Sequence, residues 1–495
     1  MGKSNLTKAT MAKDTLLYIP AKFLEGAMGM VMVFLYTNFF GDAGYGVYSL
    51  VMTTSNFIYV AVLSWLLHVC FRHVNDYVKD KKEDVFYSTI FSVWIKIMAL
   101  SALFTVFFSA ISFFAGMEFF TYTVPSVMLF CSFATVTILY GIIAALRRIK
   151  LNLIMSVFAI TAKVAITFTV IFLIPQTKET VLLALGVNFL VDTFVSIFIF
   201  TRLKLYRHIS KDAFSKDLLK EMVRFGVPFI GIGITIPVLN ISDRYIIRIF
   251  FDSSQVGIYT ANYAVASAVF TILPMAVLRG VYPTILNIWK ESREKANVLL
   301  TQALRYYIII AMPAAVGLCA LSRAISSNLG ETGISNGYLI IIFVSIGMFL
   351  QGVSEFTNKS FELMKTTRPI FTNSLVVAVF NVVSNLATVP FFGYIAAAVN
   401  TLTSLILLLI LSRVRGRKVL KWDIPVKSII KIGISSLAMV VVILPLIHYL
   451  GNSFLSIGIS IFVGAIVYGV VLYITGDVKD ELFALINKYK SRKEN

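Results

Sequence analysis

The chain has 495 residues, of which 58% are hydrophobic and 14% charged, against about 25% charged in an average soluble domain. Lys and Arg outnumber Asp and Glu by 44 to 25, a net charge of +19. A water-soluble fold of this length has no room to hide so much apolar surface. An ordinary cytosolic enzyme, a disordered chain and a secreted disulfide scaffold are therefore excluded, and a polytopic membrane protein remains.

At the N-terminus Leu6 stands where a myristoylation signal needs Ser or Thr. Lys22 and Glu25 interrupt the first apolar run, so it reads as a membrane helix and not as a cleavable signal. A helix crosses a bilayer in about 20 mostly apolar residues. Fourteen such runs follow in chain order: 15–40, 45–68, 85–113, 123–146, 152–174, 181–201, 225–249, 257–282, 303–321, 337–356, 370–390, 393–411, 429–449 and 456–474. They are too long and too continuous for barrel strands, which alternate in segments of about ten residues.

The loops check this count independently. The even-numbered loops and the two termini hold 35 Lys and Arg, whereas the odd loops hold only Lys178 and Arg323. Cytoplasmic loops collect basic residues, so the even loops and both termini face the cytoplasm. The positive charge is thus a topology signal and gives no argument for nucleic acid. Cys70, Cys131 and Cys319 are odd in number and far apart, and the four His are scattered. Neither a disulfide framework, a metal site nor another cofactor is expected. There is no Walker-type glycine loop, and the outer loops are short and poor in acids and His, which argues against an enzyme such as a polymerase or ligase.

A repeat is legible. Phe40, Gly46 and Tyr48 after the first run match Phe251, Gly257 and Tyr259 after the seventh at one offset of 211 residues. Gly suits such a place because it permits positive φ and close backbone approach. Six spans per repeat leave the two halves in the same orientation, as in transporters that alternate access between two bundles. The expected parts are a six-helix lobe over 1–210, a second over 211–418, and an added helix pair with a basic tail over 419–495.

Charges inside spans cost about 2.5–3.5 kcal/mol at the bilayer centre, so each needs a reason. Lys96 and Lys163 lie about eleven residues into their runs, roughly 16 Å deep. They suit a water-filled cavity holding an anion, or pairing with Asp192 or Glu25 on other helices. Lys22 and Glu25 share a face and suit mutual neutralisation or a ligand contact. Asp243 and Arg244, adjacent in sequence, suit a structural ion pair or a ligand contact. Arg248, Arg279 and Arg305 suit snorkelling to the interface. Asn188 shares a face with Asp192. Asn381, Asn385 and Asn400 suit either a sugar path or interhelical hydrogen bonds.

Several loose motifs, in order and spacing, carry a resemblance over nearly the whole chain. They are Gly46-Val-Tyr48, Phe225-Gly-Val-Pro-Phe229, Asp243-Arg244 followed by Val256-Gly-Ile-Tyr259, and Pro390-Phe-Phe-Gly393-Tyr-Ile-Ala396-Ala-Ala398. The sequence resembles the polysaccharide transport (Wzx-type) family of lipid-linked oligosaccharide flippases. That family shares the multidrug/oligosaccharidyl-lipid/polysaccharide exporter superfamily with lipid II flippases and drug extruders. The resemblance implies an all-α fold of 14 transmembrane helices, with two six-helix lobes in a V around a central cavity and two C-terminal helices beside them. It implies transport of undecaprenyl-diphosphate-linked glycan units, for O-antigen, capsule or a similar polymer, to the outer leaflet of a bacterial cytoplasmic membrane. The implied partners are the lipid-linked glycan, membrane lipids, and the polymerase and glycosyltransferases of the pathway. In such a cleft Lys22, Lys96, Lys163 and Arg244 are expected to hold the diphosphate. Glu25, Asp192 and Asp243 are expected in coupling or ion pairing, and Asn188, Asn381, Asn385 and Asn400 along the glycan path.

Overall fold

The structure, a computed structural model, describes residues 2–114, 120–146, 148–174, 178–289, 291–330, 332–364, 366, 368–417 and 425–479. Among the described residues there are helices and no strand. By length and composition, ten of the helices are apolar enough to cross a membrane. In lipid, only helices and closed barrels satisfy every backbone N–H and C=O internally, so a chain this apolar folds as helices.

The chain divides into two compact units, 1–248 with 252–257, and 249–251 with 258–495. The first unit contains α1 (Gly2–Val62), α2 (Ser64–Lys79), α3 (Glu83–Phe114), α4 (Phe120–Ala145), α5 (Ile149–Leu173), α6 (Lys178–Arg202) and nearly all of α7 (Lys216–Phe250). The fourteen apolar runs fall on fewer helices because two helices are folded back on themselves. In α1, Gly41 breaks the helix with φ 64°. Tyr36 and Tyr48 then meet with ring centroids 4.1 Å apart and planes tilted by 46°. Twelve residues of straight helix would separate them by about 18 Å. The first two runs are thus one hairpin.

The second run is itself broken at Leu63, where α1 and α2 meet at 50°. Side chains on the far side of the break donate to the freed carbonyls: Ser64 Oγ to Val60 O and Trp65 Nε1 to Val62 O. The core of this unit lies where α2, α3, α4 and α6 meet, around Leu63, Leu66, Phe86, Phe130, Ile142 and Val195. The sequence reading begins the second lobe at 211, but α7 clusters with the first unit. Its Phe225 ring stacks edge-on against His73 and lies under the Arg72 guanidinium, and Tyr245 shares a 2.6 Å hydrogen bond with Thr54.

The matched glycines prove to have a contact role. Gly41 supplies the positive φ of the first turn, and the second turn is capped instead by Asp252, which accepts from Gln255 N. Gly46 and Gly257 face each other in the first unit. A Cβ on Gly46 would stand 1.8 Å from the Ser253 carbonyl oxygen, and one on Gly257 would stand 1.9 Å from that of Asp42. Asp42 and Ser253 are themselves 211 residues apart, so the two close approaches are reciprocal at the same offset.

The second unit contains most of α8 (Ser253–Phe270), then α9 (Ile272–Trp289), α10 (Arg293–Leu329), the short α11 (Thr332–Ser335), α12 (Tyr338–Leu363), α13 (Arg368–Gly416), α14 (Val426–Leu450) and α15 (Phe454–Ile474). Helix α13 is a second hairpin, broken at Gly393 with φ 62°. Asn400, beyond the break, donates to Asn385 Oδ1 at 2.8 Å and Thr388 Oγ1 at 2.7 Å. Near the hairpin's open end Arg415 reaches Thr372 and Asn373.

The last two helices pack on α10 inside this unit and are fastened along its length. Arg305, expected to snorkel, instead holds Asp477, with its Nη2 3.2 Å from Oδ2. Pro313 has no N–H for the carbonyl of Ile309 one turn before it, and Tyr468 Oη donates to that oxygen at 2.7 Å. At the other end Asn328 bonds to the Asn452 carbonyl. Tyr468→Phe should therefore lower stability by about 1–3 kcal/mol, the penalty of an unsatisfied buried acceptor, read as a lower melting temperature in detergent. An unchanged melting temperature would show that the α10 carbonyl finds another donor.

Candidate functional site

Helices α5 and α6 turn soluble-protein logic inside out. Their exposed positions are apolar, as at Ile154, Phe168, Leu190, Phe194 and Ile197. Their inward faces carry a polar stripe among apolar core residues such as Met155, Ala159, Val191 and Val195. On α5 the residues Asn152, Ser156, Lys163 and Thr167 recur at spacings that place them on one face. On α6 Asn188, Asp192 and Ser196 do the same. The two stripes face each other. Lys163 Nζ lies 2.8 Å from Asp192 Oδ1, with side chains 18% and 8% exposed. One turn further, Tyr36 and Thr167 share a 3.4 Å hydrogen bond and Asn188 donates to Ala184 O. All three side chains are buried.

A partly open cavity of about 440 Å³ runs along this stripe between α2, α4, α5 and α6. This is within the range of small-molecule sites, roughly 300–1,000 Å³. Its polar lining is Thr137, Tyr140, Asn152, Ser156, Lys163 and Asp192. Its apolar lining includes Leu67, Phe71, Phe133 and Val136. From Asn152 to Lys163 the stripe extends about 16 Å, from the first turn of α5 to its middle. The cavity thus offers a hydrogen-bonding wall, an apolar wall and one ammonium neutralised by one carboxylate. Among the described residues no group of His, Cys, Asp and Glu has the makings of a metal site.

The expected site residues separate. Lys163 and Asp192 line the cavity together, paired across helices. Lys96 is elsewhere: it is exposed on α3, its Nζ 5.1 Å from the centre of the Phe214 ring. The loop before α7 docks on the first turns of α3. Ser215 N donates to Thr89 Oγ1, and Ser210 N to Ser88 Oγ. Lys96 is only seven residues beyond Thr89, about 10 Å, and reaches back to the loop.

Asp243 is fully buried and Arg244 half-buried on α7, away from the cavity lining. The side chains of Lys22 and Glu25 lie outside the described residues. Asn381, Asn385 and Asn400 are buried and bonded in a chain within the α13 hairpin, and none of them lines the α5 cavity. Asn188 is likewise held inside the packed end of the stripe. The sequence reading passed over Asn152, Ser156 and Thr137 as site residues. A helical wheel of α5 carries the signal for the first two, because they share the face of Lys163.

Comparison with known proteins gives the same direction. Residues 11–289 match the family described as polysaccharide biosynthesis protein. The chain is 27% identical over 235 residues to the probable flippase AglR of Haloferax volcanii, covering 46% of this chain and 49% of that protein. It is 22% identical over 244 residues to the probable low-salt glycan biosynthesis flippase Agl15 of the same organism, covering 49% of this chain and 51% of that protein. The match spans about half the length of these curated relatives. In fold it is similar to the lipid II flippase MurJ in an inward closed conformation, with TM-score 0.72 at 17% identity over 94% of this chain and 99% of that one. Matched over more than half its length, the chain belongs to the polysaccharide biosynthesis protein family.

Proposed function

We propose that the protein is a flippase that carries a lipid-linked glycan, in the finer reading an undecaprenyl-diphosphate-linked repeat unit, from the cytoplasmic to the outer leaflet of a bacterial cytoplasmic membrane. The observation that carries this is the cavity on α5: a polar stripe with an ammonium at mid-span, facing an apolar wall. Each sugar hydroxyl moved into hydrocarbon costs about 4–8 kcal/mol, so a glycan head of around ten hydroxyls does not cross unaided. A hydrogen-bonding path removes most of that barrier while the isoprenoid tail keeps apolar contacts. An inside-negative potential favours outward movement of a dianion by about 2.3 kcal/mol per charge per 100 mV. O-antigen or capsule is the expected product class, with the polymerase and glycosyltransferases of that pathway as partners. The work is transport and involves no covalent step.

Deletion of the gene should leave lipid-linked repeat units accumulated on the inner leaflet, as read by protection from an external glycosidase. Wild type and Lys96→Ala should both restore transfer, and Lys163→Gln should reduce it at least tenfold. Equal rescue by Lys163→Gln would reject the α5 cavity as the path. No accumulation on deletion would reject the flippase reading itself.

A further inference from the structure

The Lys163–Asp192 pair has features that a purely structural strut lacks. Both residues line the cavity, and neither is sealed behind it. Among the described residues each is the other's ion-pair partner, through one contact of 2.8 Å. A Lys ammonium carries three donors, so a single carboxylate oxygen leaves two for another acceptor. Nearby, Thr137, Tyr140, Asn152 and Ser156 supply hydroxyl and amide groups on the same lining. Among the described residues no second base lines the cavity, so their net charge at rest is zero.

We propose that Asp192 is the resident counter-ion of an anion site at Lys163, and that a phosphate-type group of the cargo displaces it. This rests on the flippase reading and adds to it the residue that sets the affinity. Physically, a lone ammonium at mid-span is expensive, and the carboxylate keeps the empty site neutral. A diphosphate carries more charge and more acceptor oxygens than a carboxylate, so it can take over the ammonium when it arrives. When the anion leaves, Asp192 reclaims Lys163, and the site does not hold its cargo. Asp192 therefore tunes release, and Lys163 provides attraction.

The full-length protein in nanodiscs, titrated with inorganic pyrophosphate and with geranylgeranyl diphosphate, tests this by melting temperature and by calorimetry. Asp192→Asn keeps the side-chain shape and removes the competing charge. It should melt lower than wild type without ligand, regain that loss when pyrophosphate is added, and bind pyrophosphate at least tenfold more tightly. Lys163→Gln should weaken pyrophosphate binding at least tenfold, and Lys163→Arg should retain it. Equal or weaker pyrophosphate binding by Asp192→Asn overturns the counter-ion role. If Lys163→Gln has meanwhile lost transfer in cells, the flippase reading survives that result. Tighter binding of the cation ethidium by Lys163→Gln, with none by Asp192→Asn, would overturn both, since the carboxylate would then be the cargo site of a cation exporter.

Discussion

Gly46→Ala and Gly257→Ala should each cost more than about 4 kcal/mol, enough to leave little folded protein in the membrane. The added methyl carbon has nowhere to go: it would stand 1.8 Å from the Ser253 carbonyl oxygen in one case and 1.9 Å from that of Asp42 in the other. The obstacle is backbone at a helix start, so it cannot swing aside as a side chain would, and two helix ends must separate. Gly29 and Gly186 are the contrast, since a Cβ on either meets nothing within 4 Å. Gly186→Ala lies inside α6, where Ala is favoured over Gly by about 0.8–1.0 kcal/mol, and should be neutral or stabilising. Folded yield and melting temperature in mild detergent report both. A Gly257→Ala protein as stable as wild type would show that the contact opens without penalty.

Breaking the ion pair from one side should cost about 3–5 kcal/mol, because the remaining charge is left uncompensated between α5 and α6. Lys163→Met strands Asp192, and Asp192→Leu strands Lys163. The double variant Lys163→Met with Asp192→Leu should recover most of the loss, since two well-packed apolar side chains replace two neutralised charges. Thermal melting of the four proteins makes a double-mutant cycle, and the expected coupling is large and favourable. Additive single effects would show that the two charges are each satisfied by water in the cavity and not by one another. The double variant should also fail to transport, which separates the stability role of the pair from its proposed part in binding.

Reading the chain alone goes far for this protein because lipid imposes strict local rules. Runs of about 20 apolar residues dictate membrane-spanning helices. Short motifs at matched places in that topology point to the family. The glycines matched at offset 211 meet in one contact, Gly46 against Ser253 and Gly257 against Asp42. Even the alternatives for the buried charges were visible in the residue types.

What the chain alone left undecided were distances between residues far apart in sequence. Whether Lys163 meets Asp192 depends on the rotation of α5 against α6, fixed by packing over both helices. Whether Lys96 is deep depends on where a loop more than a hundred residues later docks on α3. The asparagines of α13 became struts because Gly393 folds the helix back on itself. Periodicity and charge are properties of one segment and can be read from it. Pairing, depth and cavity shape are relations between segments, and only the packed tertiary structure sets them.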